Sequence, residues 1–289
     1  MRNSLSKTFY LLFLPFIIVA FSFEPSTKEI NLIDAIKVKL ISAKTISNGA
    51  YNVESVDISI QNNTASPLRI KIPSGTLFNP ADNGEQTLIL LEDDFITLKA
   101  HDSFEGHVSA YCTEASDRCP TKGTPMKMTM NQDKNLIAMI HYLKGKTINE
   151  SSFQDAVWAI SDGHSISNIE SFTKEDKAFR KYLAALTKQE DTWYTSPRSV
   201  RIDNNGNFNY ETVNISGRID FECEKGASVR QDIYKASGEA IFVSEKYMTV
   251  QSGKVTYKFR LSVKGWEKGD YYIRVHDGTN DIVKYSFKV

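Results

Sequence analysis

The side chains best equipped for chemistry are three cysteines, Cys112, Cys119 and Cys223, and five histidines at 101, 107, 141, 164 and 276. Three thiols cannot all pair within one chain, so at least one is free, joined to another molecule or used otherwise. Cys112 and Cys119 are close enough in sequence to form a disulfide across the Thr113–Arg118 loop. An oxidising compartment would favour that bond. A thiol beside an imidazole is a different device, and Cys112 with His164 would make the nucleophile–base pair of a cysteine hydrolase. No hydrolase word surrounds Cys112, and the chain is read as a non-enzyme. Glu92-Asp93-Asp94 and His276-Asp277-Gly278 read as turns. Neither has the ligand spacing of an EF-hand or a zinc site, so no metal and no cofactor are expected.

Two short words enclose the most informative pair. They are Tyr111-Cys112-Thr113 and Phe153-Gln154-Asp155-Ala156-Val157-Trp158-Ala159-Ile160, with Cys112 and Gln154 42 residues apart. Together they resemble the signature of bacterial surface thioester domains, with Thr113 standing where that family carries an apolar residue. The resemblance implies an internal thioester between Cys112 and Gln154. The thiolate attacks the carboxamide and ammonia leaves, which demands close alignment because an amide is a poor electrophile. A thiol at a strand end facing a glutamine in the first turn of a helix would provide it, and the helix N-terminus would steady the developing oxyanion. Tyr111, Phe153, Val157 and Trp158 would shield the bond from water, with Ile160 beside them. His164 would accept a proton during aminolysis by a partner's lysine. Other readings stand beside this one. Ser151 and Gln154 fit an S-x-x-Q capping box, Val157 and Trp158 fit ordinary core anchors, and a Cys112–Cys119 disulfide would exclude the thioester.

These residues need a scaffold, and the hydrophobic period supplies one. From about Ile30 to Cys112 the pattern is strand-like: Ile36, Val38 and Leu40 alternate with lysines, as do Val56, Ile58 and Ile60, then Leu68, Ile70 and Ile72, with other polar residues. Period-two alternation buries one face of a sheet. Gln86 to Leu91 and Phe95 to Leu98 read as a hairpin turning at Glu92-Asp93-Asp94, and Val108 to Cys112 as a further strand. The period then becomes helical. Leu136, Ile137, Ile140 and Leu143 mark one helix, Ser151 to Ser161 a second, and Thr173 to Lys188 a third with Thr173 and Asp176 as a capping pair. Glu190 to Pro197 reads as a polar linker with exposed Trp193 and Tyr194. Strand candidates resume near Val200 and run to Val289.

The expected fold is mainly β: an N-terminal β-sandwich carrying a helical segment (23–189), a linker (190–198) and a C-terminal Ig-like β-sandwich (199–289). The segments Ile233–Glu239 and Lys268–Val275 resemble the Ig-like modules at the C-termini of secreted Bacteroidota proteins, including type IX sorting and flagellar-hook-cap modules. Arg2 and Lys7 before the apolar run Phe9–Phe21, with Ala20 and Ser22 at a small-x-small site, read as a signal peptide over 1–22. No later run has spanning length, so no integral membrane segment is expected after cleavage. Lys+Arg and Asp+Glu balance at 35 each, which gives no global field for nucleic acid. The expected function is adhesion or binding of a protein or glycan at the cell surface, covalent if the thioester forms. The alternative is a non-reactive envelope module with a Cys112–Cys119 disulfide.

Overall fold

The structure is a computed structural model and describes residues 28–82 and 84–289. The signal peptide read over 1–22 lies outside the described residues. The molecule is mainly β, 44% strand and 17% helical, and of β-sandwich type.

The chain begins with β1 (Lys28–Asn31), a short helix α1 (Leu32–Lys37), β2 (Ile41–Ser47), β3 (Val56–Asn62), β4 (Leu68–Ile72) and β5 (Thr76–Pro80). There follow β6 (Leu88–Leu90), β7 (Asp94–Leu98), β8 (Ser103–Val108), β9 (Ala110–Cys112) and β10 (Met126–Met130). They form three sheets, ordered β1-β4-β7, β2-β3-β8 and β10-β5-β6-β9. The alternation read at Val56, Ile58 and Ile60 is realised, each side chain being buried on one face of β3. Two local readings are corrected. Ile36, Val38 and Leu40 do not form a strand. Asn31 caps a helix by accepting the Ile33 N–H, and Leu32 and Ala35 bury one side of it. Nor are β6 and β7 a hairpin, since β6 pairs with β5 and β9 while β7 pairs with β4. Asp93 pins that crossing, accepting from the N–H and hydroxyl of Ser74 and pairing with Lys71 at 2.7 Å.

The helices follow as α2 (Lys134–Leu143), α3 (Phe153–Ser161) and α4 (Lys174–Thr187). The Thr173–Asp176 capping box is present in full. The helices pack on one face of the β10-β5-β6-β9 sheet and the sandwich core lies on the other. Strand β9 therefore serves two cores. Ala110 and Cys112 enter the sandwich core with Ile58, Phe78 and Leu88, while Tyr111 enters the helical core with Phe153, Val157 and Phe179.

The second module contains β11 (Tyr194–Thr195), β12 (Arg198–Ile202), β13 (Phe208–Thr212), β14 (Asn214–Cys223), β15 (Ala227–Lys235) and β16 (Ala240–Val243). It ends with β17 (Met248–Val250), β18 (Gly253–Ser262), β19 (Asp270–His276) and β20 (Asp281–Lys288). One sheet is ordered β11-β14-β18. The other is ordered β16-β15-β19-β20, with β17 also on β15. Between them lie Ile215, Ile219, Val229, Ile233, Ile273, Val275 and Phe287. The segment read as a linker is not free chain: β11 pairs with β14, and Tyr194 is only 6% exposed. Trp193 lies so close over β14 that a Cβ at Gly217 would come within 2.7 Å of its ring, so only glycine fits there. The β12–β13 hairpin packs backward, placing Phe208 and Tyr210 against the sandwich core of the first module.

Candidate functional site

Cys112 is the last residue of β9 and Gln154 the second of α3, and the fold brings them together. Strand β9 is the end strand of its sheet, with β6 on one side only. The Gln154 carboxamide occupies the other side. Its Oε1 accepts the Cys112 N–H at 2.9 Å, and its Nε2 donates to the Cys112 carbonyl at 2.8 Å. A side-chain amide thus substitutes for a neighbouring strand. The capping-box reading of Gln154 is overturned for the same reason, since Asn149 caps the 3-10 turn Glu150–Ser152 and Ser152 makes no side-chain cap to α3.

Helix α3 straddles that strand edge. Phe153 and Val157 face the helical core, Gln154 meets the edge, and Trp158, one turn on, reaches into the sandwich core. Tyr111 and Phe153 meet edge to face at 5.8 Å. Trp158 stacks on Tyr51 and meets Phe208, Tyr210 and His164 edge-on at 5.5 to 5.7 Å. The sequence-read shielding residues Tyr111, Phe153, Val157 and Trp158 are therefore buried around the pair.

The Cys112 thiol is fully buried. Burial pushes its pKa well above the ordinary thiol value, with Cys119 and Glu114 adding to the effect. The disulfide reading is corrected: Cys112, Cys119 and Cys223 are all free thiols. Cys112 lies in the core, whereas the Cys119 thiol donates to the Gly49 carbonyl at 3.6 Å and is raised to about 11 by burial and by Glu85. Cys223 is remote from both, donating to the Lys225 carbonyl at 3.0 Å.

His164 joins the cluster in a role the sequence did not suggest. Arg198 Nη2 approaches its Nδ1 at 3.1 Å and also pairs with Asp155 at 2.6 Å. A guanidinium only donates, so Nδ1 is the accepting nitrogen and the neutral ring carries its proton on Nε2. Burial, then Arg198, lowers the His164 pKa to about 4, against a raising effect of Asp162. The ring is neutral at pH 7 and its lone pair is already engaged, which disfavours the role of proton acceptor. Burial raises the Asp155 carboxyl, with Arg198 opposing.

Sequence reasoning missed Tyr51, Asp155, Arg198, Phe208 and Tyr210. Asp155 adjoins Gln154, and Phe208 and Tyr210 alternate with asparagines, but nothing in the sequence sends that hairpin back to the first module. Arg198 lies over the Tyr210 ring at 4.8 Å, and Tyr210 donates its hydroxyl to the Ala115 carbonyl. Among the described residues Trp158 Nε1 and Arg198 Nε are buried without a hydrogen-bond partner. No group of three or more His, Cys, Asp or Glu side chains among them is placed to hold a metal ion. No helix among them is long and apolar enough to cross a membrane.

No protein-family model matches the chain, and no curated protein matches it.

Proposed function

We propose that this chain is an exported binding protein that captures its partner covalently through a Cys112–Gln154 thioester. The observation that carries the reading is the double hydrogen bond between the Gln154 carboxamide and the Cys112 main chain. It holds the electrophile against the strand that bears the thiol. It also aims the Cys112 N–H at the oxygen on which negative charge grows during attack. In the first step the Cys112 Sγ–C bond forms at the Gln154 carboxamide carbon and the C–N bond breaks. The amide nitrogen leaves as ammonia with the thiol proton. In the second, a partner's amine attacks the same carbon, an amide bond forms, and the Cys112 thiol is restored. The aromatic walls keep water from taking the amine's place. The basic and apolar start of the chain supports export, and the second sandwich fits a spacer or sorting module of the Ig-like kind.

One observation favours a second reading, a non-reactive envelope module in which Gln154 is a strut. The buried thiol has a raised pKa, which suppresses the thiolate, and Gln154 already explains itself by closing the edge of β9. The intact mass of the mature protein separates the two. Covalent capture requires a mass one ammonia short of the sequence, conversion by methylamine to an adduct, and loss of both effects in Cys112→Ala. A full mass that methylamine leaves unchanged establishes the strut.

A further inference from the structure

A groove of about 690 Å³ lies where the two modules meet. Its floor crosses β11, β14 and β18 at one level, through Thr195, Ser216, Arg218, Lys258 and Arg260. Its opposite wall carries Phe172 and Lys177. In the antiparallel register Arg218 stands directly opposite Lys258, and Ser216 opposite Arg260. Like charges directly opposite on a sheet are destabilising. Yet none of Lys177, Arg218, Lys258 and Arg260 has an ion-pair partner among the described residues, while the neighbouring Arg180 is paired with Asp191 at 2.8 Å. Glu170 is the other carboxylate lining the groove. In a chain whose total charge is zero, this concentrates unpaired cations on one concave surface.

We infer that this groove binds an anionic, carboxylate-bearing polysaccharide. The cations complement its charge, and Phe172 offers an aromatic face for the apolar faces of sugar rings. Phe172 is 66% exposed, an aromatic ring with little packing of its own to account for it. The floor crosses the strands and so presents side chains, among them the Ser216 and Thr195 hydroxyls. It does not present the open main-chain edge that an added peptide strand would need. This site does not depend on the thioester.

The test is calorimetric titration of the intact protein at low salt with sodium polygalacturonate, with its methyl-esterified form as the neutral counterpart and with poly-glutamate. The expected result is binding of polygalacturonate alone. Arg218→Glu with Lys258→Glu should weaken it about tenfold or more, since it reverses two of the complementary charges. Phe172→Ala should weaken it by a smaller factor. Cys112→Ala, and the charge-matched Lys44→Glu with Lys127→Glu outside the groove, should leave it unchanged. Circular dichroism of each variant confirms folding. Absence of binding overturns the inference, as does equal weakening by the control pair or equal affinity for the esterified polymer. Equal affinity for poly-glutamate overturns it in favour of an acidic peptide.

Discussion

The molecule buries two polar clusters, one within the second module and one around Cys112 that Arg198 of the second module joins, and they are built differently. In the second module Asp232 is fully buried, and its Oδ2 receives His276 Nε2 at 2.9 Å, Arg230 Nη2 at 3.1 Å and the Tyr234 hydroxyl at 3.3 Å. Its Oδ1 receives the Ser244 N–H, and the Gly278 N–H donates to His276 Nδ1. Burial alone would raise the Asp232 pKa, but His276 and the other donors outweigh it and hold the carboxyl below its ordinary value. In the cluster around Cys112, Trp158 Nε1 of the first module and Arg198 Nε, which enters from the second, are without partners among the described residues. The other unpartnered buried side-chain atoms among the described residues, Glu85 Oε2 and Gln86 Oε1, lie in the first module. A saturated network fixes a structure. In the other cluster the Cys112 main chain is held by one carboxamide, the group that the proposed chemistry would consume, and the functional reading rests on that contact.

The largest effect that would test this contrast is loss of stability in Asp232→Ala. Removing one member of a buried charged pair leaves its partners uncompensated, and the expected cost is about 3–5 kcal/mol. Thermal unfolding should show it, with the intact mass and methylamine response of the first module unchanged. A cost below about 1 kcal/mol would mean that the second cluster is not the fixed one, and the contrast would fail.

Gln154→Met comes next. It keeps the length of the side chain and removes both hydrogen bonds to Cys112. The Cys112 N–H retains the Tyr51 carbonyl at 3.3 Å, so the Cys112 C=O is the group left stranded. The expected loss is about 1–3 kcal/mol, together with loss of any ammonia-deficient mass. If stability falls while the wild type keeps its full mass, Gln154 is a strut and the two clusters differ only in how well they are satisfied.

How much of this was legible follows from how local each cause is. The strands β3 and β4, the helix α2 and most strands of the second module were readable because alternation or helical period is written within each segment. The Cys112–Gln154 juxtaposition was readable only through the two words that enclose it. Where a single side chain redirected the backbone, the period misled. Asn31 turned an apparently alternating stretch into α1, and Asp93 carried the chain from one sheet to another where a hairpin was expected. The sequence offered Gln154 a helix cap, but the open edge of β9 is made by strand order, which no local pattern records. Arg198 was equally hidden, because its partners Asp155 and His164 lie 43 and 34 residues away on the other module.

The smallest expected effect concerns His164 and is read as a slope. Its folded pKa of about 4 lies below the ordinary 6.5 because the ring is buried and faces Arg198, with Asp162 opposing. Between those values the unfolded chain binds more protons than the folded one, so stability rises with pH there. The contribution is complete above about 6.5 and is lost as pH falls toward 4. Asp155, on the other side of Arg198, is raised by burial and works in the opposite sense, favouring the folded state as acid protonates it. The imidazole's own share is therefore the difference between the wild type and a variant without it, read between about pH 4 and 6.5. Denaturant unfolding across that interval should show declining stability in the wild type. In His164→Gln, whose amide oxygen can still accept from Arg198, the decline should be shallower. An unchanged slope would mean that the ring reaches solvent and that Arg198 does not hold it neutral. His164 would then regain a free lone pair, and with it the role of proton acceptor that the hydrogen bond from Arg198 now disfavours.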